Sequence, residues 1–195
     1  MVTHNSDHNK IFAALKVEPI EELGGGTNGR AYLLSDGRVF KITESEAEFA
    51  QSTELIGKTI PRLARIYETY CIRKAGYNYY YVIIQERVDT TRRSELLEFE
   101  NRTNFYDRVR NYVKSKDKEY ITDEAKQVLE DYPRYKDLVD EYIAVGDAQI
   151  EGGFISSDMF EGNLGFIDDK LTVFDFGYSR KSIQVIEDNV VREID

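Results

Sequence analysis

Residues 155–177 constrain the fold of this chain more than any other stretch. Asp158 and Asn163 stand at the spacing D-x-x-x-x-N, and Asp175 follows twelve residues after Asn163. The residues between Asn163 and Asp175 predict two short strands joined by a turn at 168–170. A hairpin of this length brings Asn163 and Asp175 to the same end, where amide and carboxylate oxygens suit Mg²⁺. A surface hairpin with ordinary turn acids would look similar, so the N-terminal half must separate the two interpretations.

A second feature is the glycine spacing G-x-G-x-x-G formed by Gly24, Gly26 and Gly29. Dinucleotide-binding folds place this spacing between a strand and a helix. Here residues 30–34 and 38–42 both predict strands with a short turn between them. The order strand, glycine turn, strand, turn, strand does not fit a dinucleotide fold. Glycine still allows the backbone to approach phosphates closely and to offer its N–H groups.

Histidine and cysteine are nearly absent, which excludes several kinds of catalytic site. His4 and His8, both in the polar N-terminal segment, are the only histidines, and Cys71 is the only cysteine. The body of the chain therefore lacks the residues for a Ser-His-Asp triad, a Cys-His nucleophile or a histidine zinc site. Any chemistry must use carboxylates, lysine, asparagine and bound metal.

The formal net charge of −10 argues against sequence-independent nucleic-acid binding, which needs clustered lysine and arginine. The polar N-terminus lacks the basic start and apolar core of a signal peptide. No apolar run approaches the length of a membrane span. A single cysteine fits a reducing compartment. We therefore expect a cytoplasmic protein without nucleic-acid or membrane partners, and the sequence leaves its oligomeric state open.

Five landmarks occur in an order that resembles the protein-kinase-like superfamily over about residues 20–180. They are the glycine turn, Lys41 on a following strand, an apolar strand that runs into residues 85–88, the segment from Asp158 to Asn163, and Asp175-Phe-Gly. The resemblance implies that the chain binds ATP and Mg²⁺.

The resemblance implies an α+β, two-lobed fold. Residues 1–88 would form an antiparallel β-sheet lobe with one helix, predicted over 44–57, and would end in a hinge at 85–88. Residues 89–195 would form a small, mostly helical lobe. Its parts would be amphipathic helices within 89–133, a helix over 135–150, a catalytic loop at 155–163 and the metal-binding segment at 175–177.

The nucleotide-binding roles follow from the same resemblance. Gly24, Gly26 and Gly29 would cover the phosphates. Lys41 would contact the α- and β-phosphates while paired with a helical glutamate, for which Glu48 fits best and Glu46 second. Gln85 would take the gatekeeper place, and the backbone from Glu86 to Val88 would hydrogen-bond adenine.

The catalytic and metal roles would fall to three residues of the second lobe. Asp158 would accept the proton of the substrate hydroxyl, while Asn163 and Asp175 would bind Mg²⁺.

The sequence also departs from the eukaryotic kinase pattern. Ser156 and Ser157 stand where His-Arg precedes the catalytic aspartate, and Met159 and Phe160 replace the usual Leu-Lys. Only 18 residues follow Gly177, without an Ala-Pro-Glu segment. We therefore expect a minimal, atypical kinase of phage or bacterial type whose C-terminal lobe is truncated.

The leading interpretation is a serine/threonine protein kinase with an unknown protein substrate. A small-molecule kinase of the aminoglycoside type is an alternative, because an acidic protein attracts a cationic acceptor. A pseudokinase that binds nucleotide or inhibits or scaffolds a partner is the non-enzymatic alternative. The presence of Lys41, Asp158, Asn163 and Asp175 together favours an active enzyme.

Overall fold

The computed structural model describes residues 6–26, 29–74, 78–153, 161–175 and 191–194. The chain divides into two compact units. The first comprises residues 1–58, 65–87 and 178–195, and the second comprises residues 59–64 and 88–177. Among the described residues, no helix is both long enough and apolar enough to cross a bilayer.

The first unit is an antiparallel sheet with a helix on each face. Its elements are α1 (Ser6–Leu15), β1 (Pro19–Gly25), β2 (Gly29–Leu34), β3 (Val39–Thr43), α2 (Glu46–Leu55), β4 (Ile66–Lys74) and β5 (Asn78–Gln85). These strands lie in the order β1-β2-β3-β5-β4, and every neighbouring pair is antiparallel. The predicted antiparallel sheet with a helix between its third and fourth strands is therefore confirmed, and α1 adds a second helix where one was predicted.

Strict alternation along β3 decides which side chains face which helix. Phe40 and Ile42 are buried in a core that includes Ile11 and Phe12 of α1. Lys41 points to the opposite face, where α2 packs. There Phe49 of α2 stacks on a tyrosine of β5, with ring centroids 4.7 Å apart. Each of these buried aromatic and aliphatic side chains contributes about 1.5–3 kcal/mol to stability.

The second unit is mostly helical and contains one β-hairpin. Its elements are α3 (Arg93–Thr103), α4 (Phe105–Ser115), α5 (Lys118–Asp131), α6 (Lys136–Gly152), β6 (Leu164–Ile167) and β7 (Lys170–Val173). Its aromatic core includes Phe99, Phe105 and Tyr142, whose rings contact one another edge-on or tilted. The predicted α+β architecture is thus confirmed, with the helices concentrated in the second half of the chain.

The hairpin between β6 and β7 closes through a two-residue turn. Asp168 and Asp169 both have positive φ, 48° and 59°, and the flanking pair is Ile167 with Lys170. Positive φ at both central residues defines a type I′ turn, whose twist matches that of the strands. The turn is one residue shorter than the sequence pattern predicted.

One further strand belongs to a different unit from the one in which the sequence placed it. Strand β8 (Val191–Ile194) pairs in parallel with β4 and extends the sheet of the first unit. The sequence analysis assigned all of residues 89–195 to the second lobe. The difference arises because four residues with no distinctive pattern find their partner more than a hundred positions earlier in the chain.

Candidate functional site

Lys41 and Glu48 form an ion pair in the first unit between Nζ and Oε1. Their side chains are only 15% and 10% exposed. Lys41 lies in the middle of the sheet, because β3 is paired on both sides, with Ala31 on one neighbouring strand and Ile83 on the other. A charged pair at so little exposure needs good geometry to offset the cost of removing both charges from water.

The start of α2 explains why the Glu48 carboxylate can reach Lys41. Ser45 is the N-cap of α2, and its side chain accepts a hydrogen bond from the Glu48 N–H at 3.3 Å. A glutamate at this third helical position often bonds back to the N–H of the N-cap residue. Here that N–H donates to Thr43 Oγ1 at 3.1 Å. The carboxylate of Glu48 can therefore turn toward the strand and its lysine.

The structure explains the glycines at the three loop positions to different degrees. Gly24 has φ +147°, which other residues rarely adopt. A Cβ on Gly29 would lie 2.2 Å from the carbonyl oxygen of Ile42, so β2 could not pair with β3 there. A Cβ on Gly26 would meet no described atom within 4 Å. Backbone conformation thus accounts for Gly24 and close packing accounts for Gly29, whereas neither explains the glycine at Gly26.

An exposed apolar residue stands beside this loop and was missed in the sequence analysis. Leu23 of β1 directly precedes the first glycine and is 40% exposed. A large apolar side chain at the entrance to a glycine turn suits contact with a flat, apolar group. The signal was present in the sequence as an isolated leucine between acidic and glycine residues.

The predicted hinge begins where β5 ends. Gln85 is buried and lies between Val39 of β3 and Ile66 of β4. The Glu86 N–H donates to the Arg65 carbonyl at 2.8 Å. Recognition of adenine at Glu86 would therefore use its carbonyl group rather than its N–H.

Val88 begins the second unit and packs against β6. Its Cγ1 lies 2.5 Å from where a Cβ on Gly165 would be, so only glycine fits at that position. The next residue, Asp89, exchanges two backbone hydrogen bonds with Phe166, at 2.8 and 2.9 Å. The segment that follows the hinge is thus fixed to the hairpin.

Asn163 and Asp175 lie at the same end of the β6–β7 hairpin. Leu164 pairs with Val173, and the Phe174 N–H donates to the Asn163 carbonyl at 3.0 Å. Asn163 is buried, while Asp175 is partly exposed. The amide and the carboxylate are therefore one residue out of register across the open end of the hairpin.

This donor set fits Mg²⁺ that is also held by phosphate. Mg²⁺ is commonly bound by one or two protein oxygen ligands, with substrate phosphates and waters completing its shell. The described residues contain no group of three or more acidic, histidine or cysteine side chains that could hold a metal alone. Asn163 and Asp175 could supply two of the oxygen ligands of such an ion. Asp158, Phe176 and Gly177 lie outside the described residues.

Sequence comparisons give no match to this chain, whereas comparison with solved structures does. No family model matches it, and no curated protein matches its sequence. Among the solved structures that match is the MAP kinase LmaMPK10 from Leishmania major, with 12% identity and a TM-score of 0.49. The match covers 89% of this chain and 50% of that kinase, so the chain spans half of the kinase's length.

Proposed function

We propose that this chain is a phosphotransferase that uses ATP and Mg²⁺ to phosphorylate serine or threonine hydroxyls of a protein. The observation that supports this most is the ion pair between Lys41 of β3 and Glu48 of α2. The carboxylate of Glu48 keeps the positive charge of Lys41, whose side chain is 15% exposed, in a fixed place on β3. That arrangement suits the oxygens of a polyphosphate.

The first unit would bind the nucleotide. Lys41 would contact the α- and β-phosphates, and the backbone around Gly26, which has room for close approach, would cover them. Leu23 would pack on the base, and the carbonyl of Glu86 together with the backbone of Val88 at the start of the second unit would hydrogen-bond adenine. Each of these contacts orients the nucleotide, and orientation provides much of the catalysis in phosphoryl transfer.

The second unit would hold Mg²⁺ through Asn163 and Asp175. The ion supplies positive charge that neutralises the phosphate oxygens. In the transfer, the acceptor oxygen bonds to the γ-phosphorus as the bond from that phosphorus to the β,γ-bridging oxygen breaks, and ADP leaves. Asp158 would take the proton that the acceptor hydroxyl loses.

The test is incubation of the protein with γ-labelled ATP and Mg²⁺, followed by intact-mass analysis. Asp175→Ala should abolish the gain of phosphate. Asp169→Ala is the matched control, because it removes an acid from the opposite end of the same hairpin. Phosphate gain by the wild type and the control alone is the expected result. Equal gain by Asp175→Ala would overturn the assignment of the metal ligands.

The labelled-ATP experiment separates the alternatives when thermal stability with ATP and Mg²⁺ is measured beside it. No phosphate on the protein or on added protein acceptors, but thermal stabilisation by ATP with Mg²⁺, would redirect the proposal to a small-molecule kinase or a pseudokinase. The net charge of −10 makes cationic acceptors the first small molecules to screen. If no acceptor is phosphorylated while ATP still binds, the chain is a nucleotide-binding module. If neither ATP binding nor transfer occurs, the proposed function is wrong.

A further inference from the structure

The edge of β7 that faces away from β6 is held by two other parts of the second unit. The Leu171 N–H donates to Glu141 Oε2 of helix α6 at 2.6 Å. The Val173 N–H donates to the Arg62 carbonyl at 2.9 Å, and the Ala64 N–H donates to the Val173 carbonyl at 2.8 Å. Residues 62–64 therefore act as a short parallel partner for β7, and a side chain of α6 completes the edge.

An ion pair joins the two parts that hold this edge. The Arg62 guanidinium contacts both carboxylate oxygens of Glu141, through Nη1 to Oε2 and through Nη2 to Oε1 at 3.1 Å. The side chains are 17% and 25% exposed. Two-point pairs of arginine with carboxylate are stronger and more directional than single charged contacts.

These contacts form a closed ring on one edge of β7 that passes through Arg62, Glu141 and residues 171–173. Arg62 binds Val173 through its carbonyl and Glu141 through its side chain, and Glu141 binds Leu171. Arg62 itself has φ +60°, an unusual backbone for a residue with a side chain, which persists where the surroundings determine it. The strand can therefore shift only if the ion pair, the strained residue and the edge hydrogen bonds move together.

The strand that this ring fixes leads directly to Asp175, two residues after Val173. Asn163 lies at the same end, because its carbonyl accepts from the Phe174 N–H. A displacement of β7 along or away from its edge partners would move the Asp175 carboxylate relative to the Asn163 amide. The separation of these two oxygen ligands would then no longer match a small ion that tolerates little distortion.

We propose that Arg62 and Glu141 are positioning residues that set the place of Asp175 for binding Mg²⁺ with ATP. This inference rests on the proposed function. Removal of a group that hydrogen-bonds directly to a metal ligand commonly changes metal affinity by about 10- to 100-fold. Arg62 and Glu141 act one step further away, through the backbone of β7, so we expect an effect at the lower end of that range.

The test uses Glu141→Gln, which keeps an oxygen for the Leu171 N–H but loses the charge that binds Arg62. Arg62→Lys is the milder variant, because lysine keeps the charge and loses the two-point contact. The matched control is Glu124→Gln. It breaks the Arg108–Glu124 pair of α4 and α5, whose side chains are similarly exposed at 27% and 26%. The hydrogen bonds of the Arg108 guanidinium go to α5, to Glu124 and Gln127, and not to β7.

Two readouts that do not depend on turnover apply to all variants. Amide hydrogen exchange without nucleotide or metal reports on Leu171 and Val173, and calorimetric ATP titrations at a series of Mg²⁺ concentrations report on the metal. For Glu141→Gln we expect faster exchange at both amides and about a tenfold rise in the Mg²⁺ concentration for half-maximal ATP binding. Arg62→Lys should lie between Glu141→Gln and the wild type, and Glu124→Gln should match the wild type.

The inference is overturned if Glu141→Gln or, should that variant not fold, Arg62→Lys keeps the wild-type dependence on Mg²⁺. It is also overturned if Glu124→Gln shifts that dependence equally, since the effect would then be a general loosening of the unit. A wild type that binds no ATP at any Mg²⁺ concentration would overturn the proposed function, and the inference with it.

Discussion

At the scale of the residue, the pairing of Lys41 with Glu48 has separable consequences for stability and for function. The two side chains are 15% and 10% exposed. Loss of one partner leaves the other charge in a poorly hydrated place, whereas loss of both can be nearly neutral if apolar groups fill the space. Stability should therefore recover in a double variant that remains inactive.

We expect Lys41→Met to lower the free energy of unfolding by about 3 kcal/mol and phosphate transfer by at least about 100-fold. Adding Glu48→Leu should return stability to within about 1 kcal/mol of the wild type without restoring transfer. Urea unfolding and the labelled-ATP assay measure the two quantities. Equal stabilities of the single and double variants would show that the two charges do not interact in solution.

Tyr81 of β5, which stacks on Phe49 of α2, provides a second prediction at this scale. Burial, with smaller contributions from Glu46, Cys71 and Tyr79, raises the pKa of Tyr81 from 10.0 to about 12. The neutral phenol is therefore favoured in the folded state. Its contribution to stability is complete below pH 10 and is lost as the pH rises through about 12.

Tyr81→Phe cannot ionise and should lose less stability than the wild type across that alkaline range. Urea unfolding of both proteins at pH 9 to 12 would show this as a flatter dependence for the variant. Because the chain contains 14 tyrosines, the informative quantity is the difference between the two curves. Parallel curves would contradict the prediction.

At the scale of the element, turns and helices with local signals were predictable from the sequence. The hairpin that carries Asn163 and Asp175, the turn before Arg38 and the helix after Ser45 all follow from patterns within a few residues. The ring of Arg62, Glu141 and β7 did not, because its partners are 79 positions apart. The reason for Gly29 was also missed, since close approach to β3 depends on strand pairing rather than on the glycine spacing.

The type I′ turn of the β6–β7 hairpin contains no glycine, so substitution by glycine at one of its positive-φ residues should stabilise the protein. Asp169 has φ 59°, and a residue with a Cβ is less stable there than glycine. We expect Asp169→Gly to raise the free energy of unfolding by about 0.5 kcal/mol. The reverse change is available at Gly37, with φ +85°, where Gly37→Ala should cost about 1 kcal/mol. Urea unfolding measures both, and a destabilising Asp169→Gly would show that this turn is not of type I′ in solution.

At the scale of the whole molecule, the chain passes from the first unit to the second and returns. Residues 59–64 belong to the second unit although they lie between α2 and β4, and β8 returns to the sheet of the first unit. Neither the placement of residues 59–64 nor that of β8 could be predicted from the sequence. Both depend on contacts between segments that are distant along the chain. Cys71, for example, pairs with Val191.

The pairing of β8 with β4 gives a prediction about stability and association. Neighbouring residues of a strand direct their N–H groups to opposite edges, so only one of Arg192 and Glu193 donates to β4. Proline removes that donor. One of Arg192→Pro and Glu193→Pro should therefore lower the free energy of unfolding by about 1 kcal/mol, and the other by much less.

Removal of residues 191–195 should have a larger effect, because it exposes the edge of β4. An unpaired edge is a template for another strand, so the shortened chain should self-associate at concentrations where the full chain does not. Sedimentation velocity at increasing concentration measures this, and Leu97→Ala, a surface change in the other unit, is the control. If both proline variants match the wild type and the shortened chain sediments as the full chain does, β8 does not pair with β4 in solution. The sheet of the first unit would then end at β4.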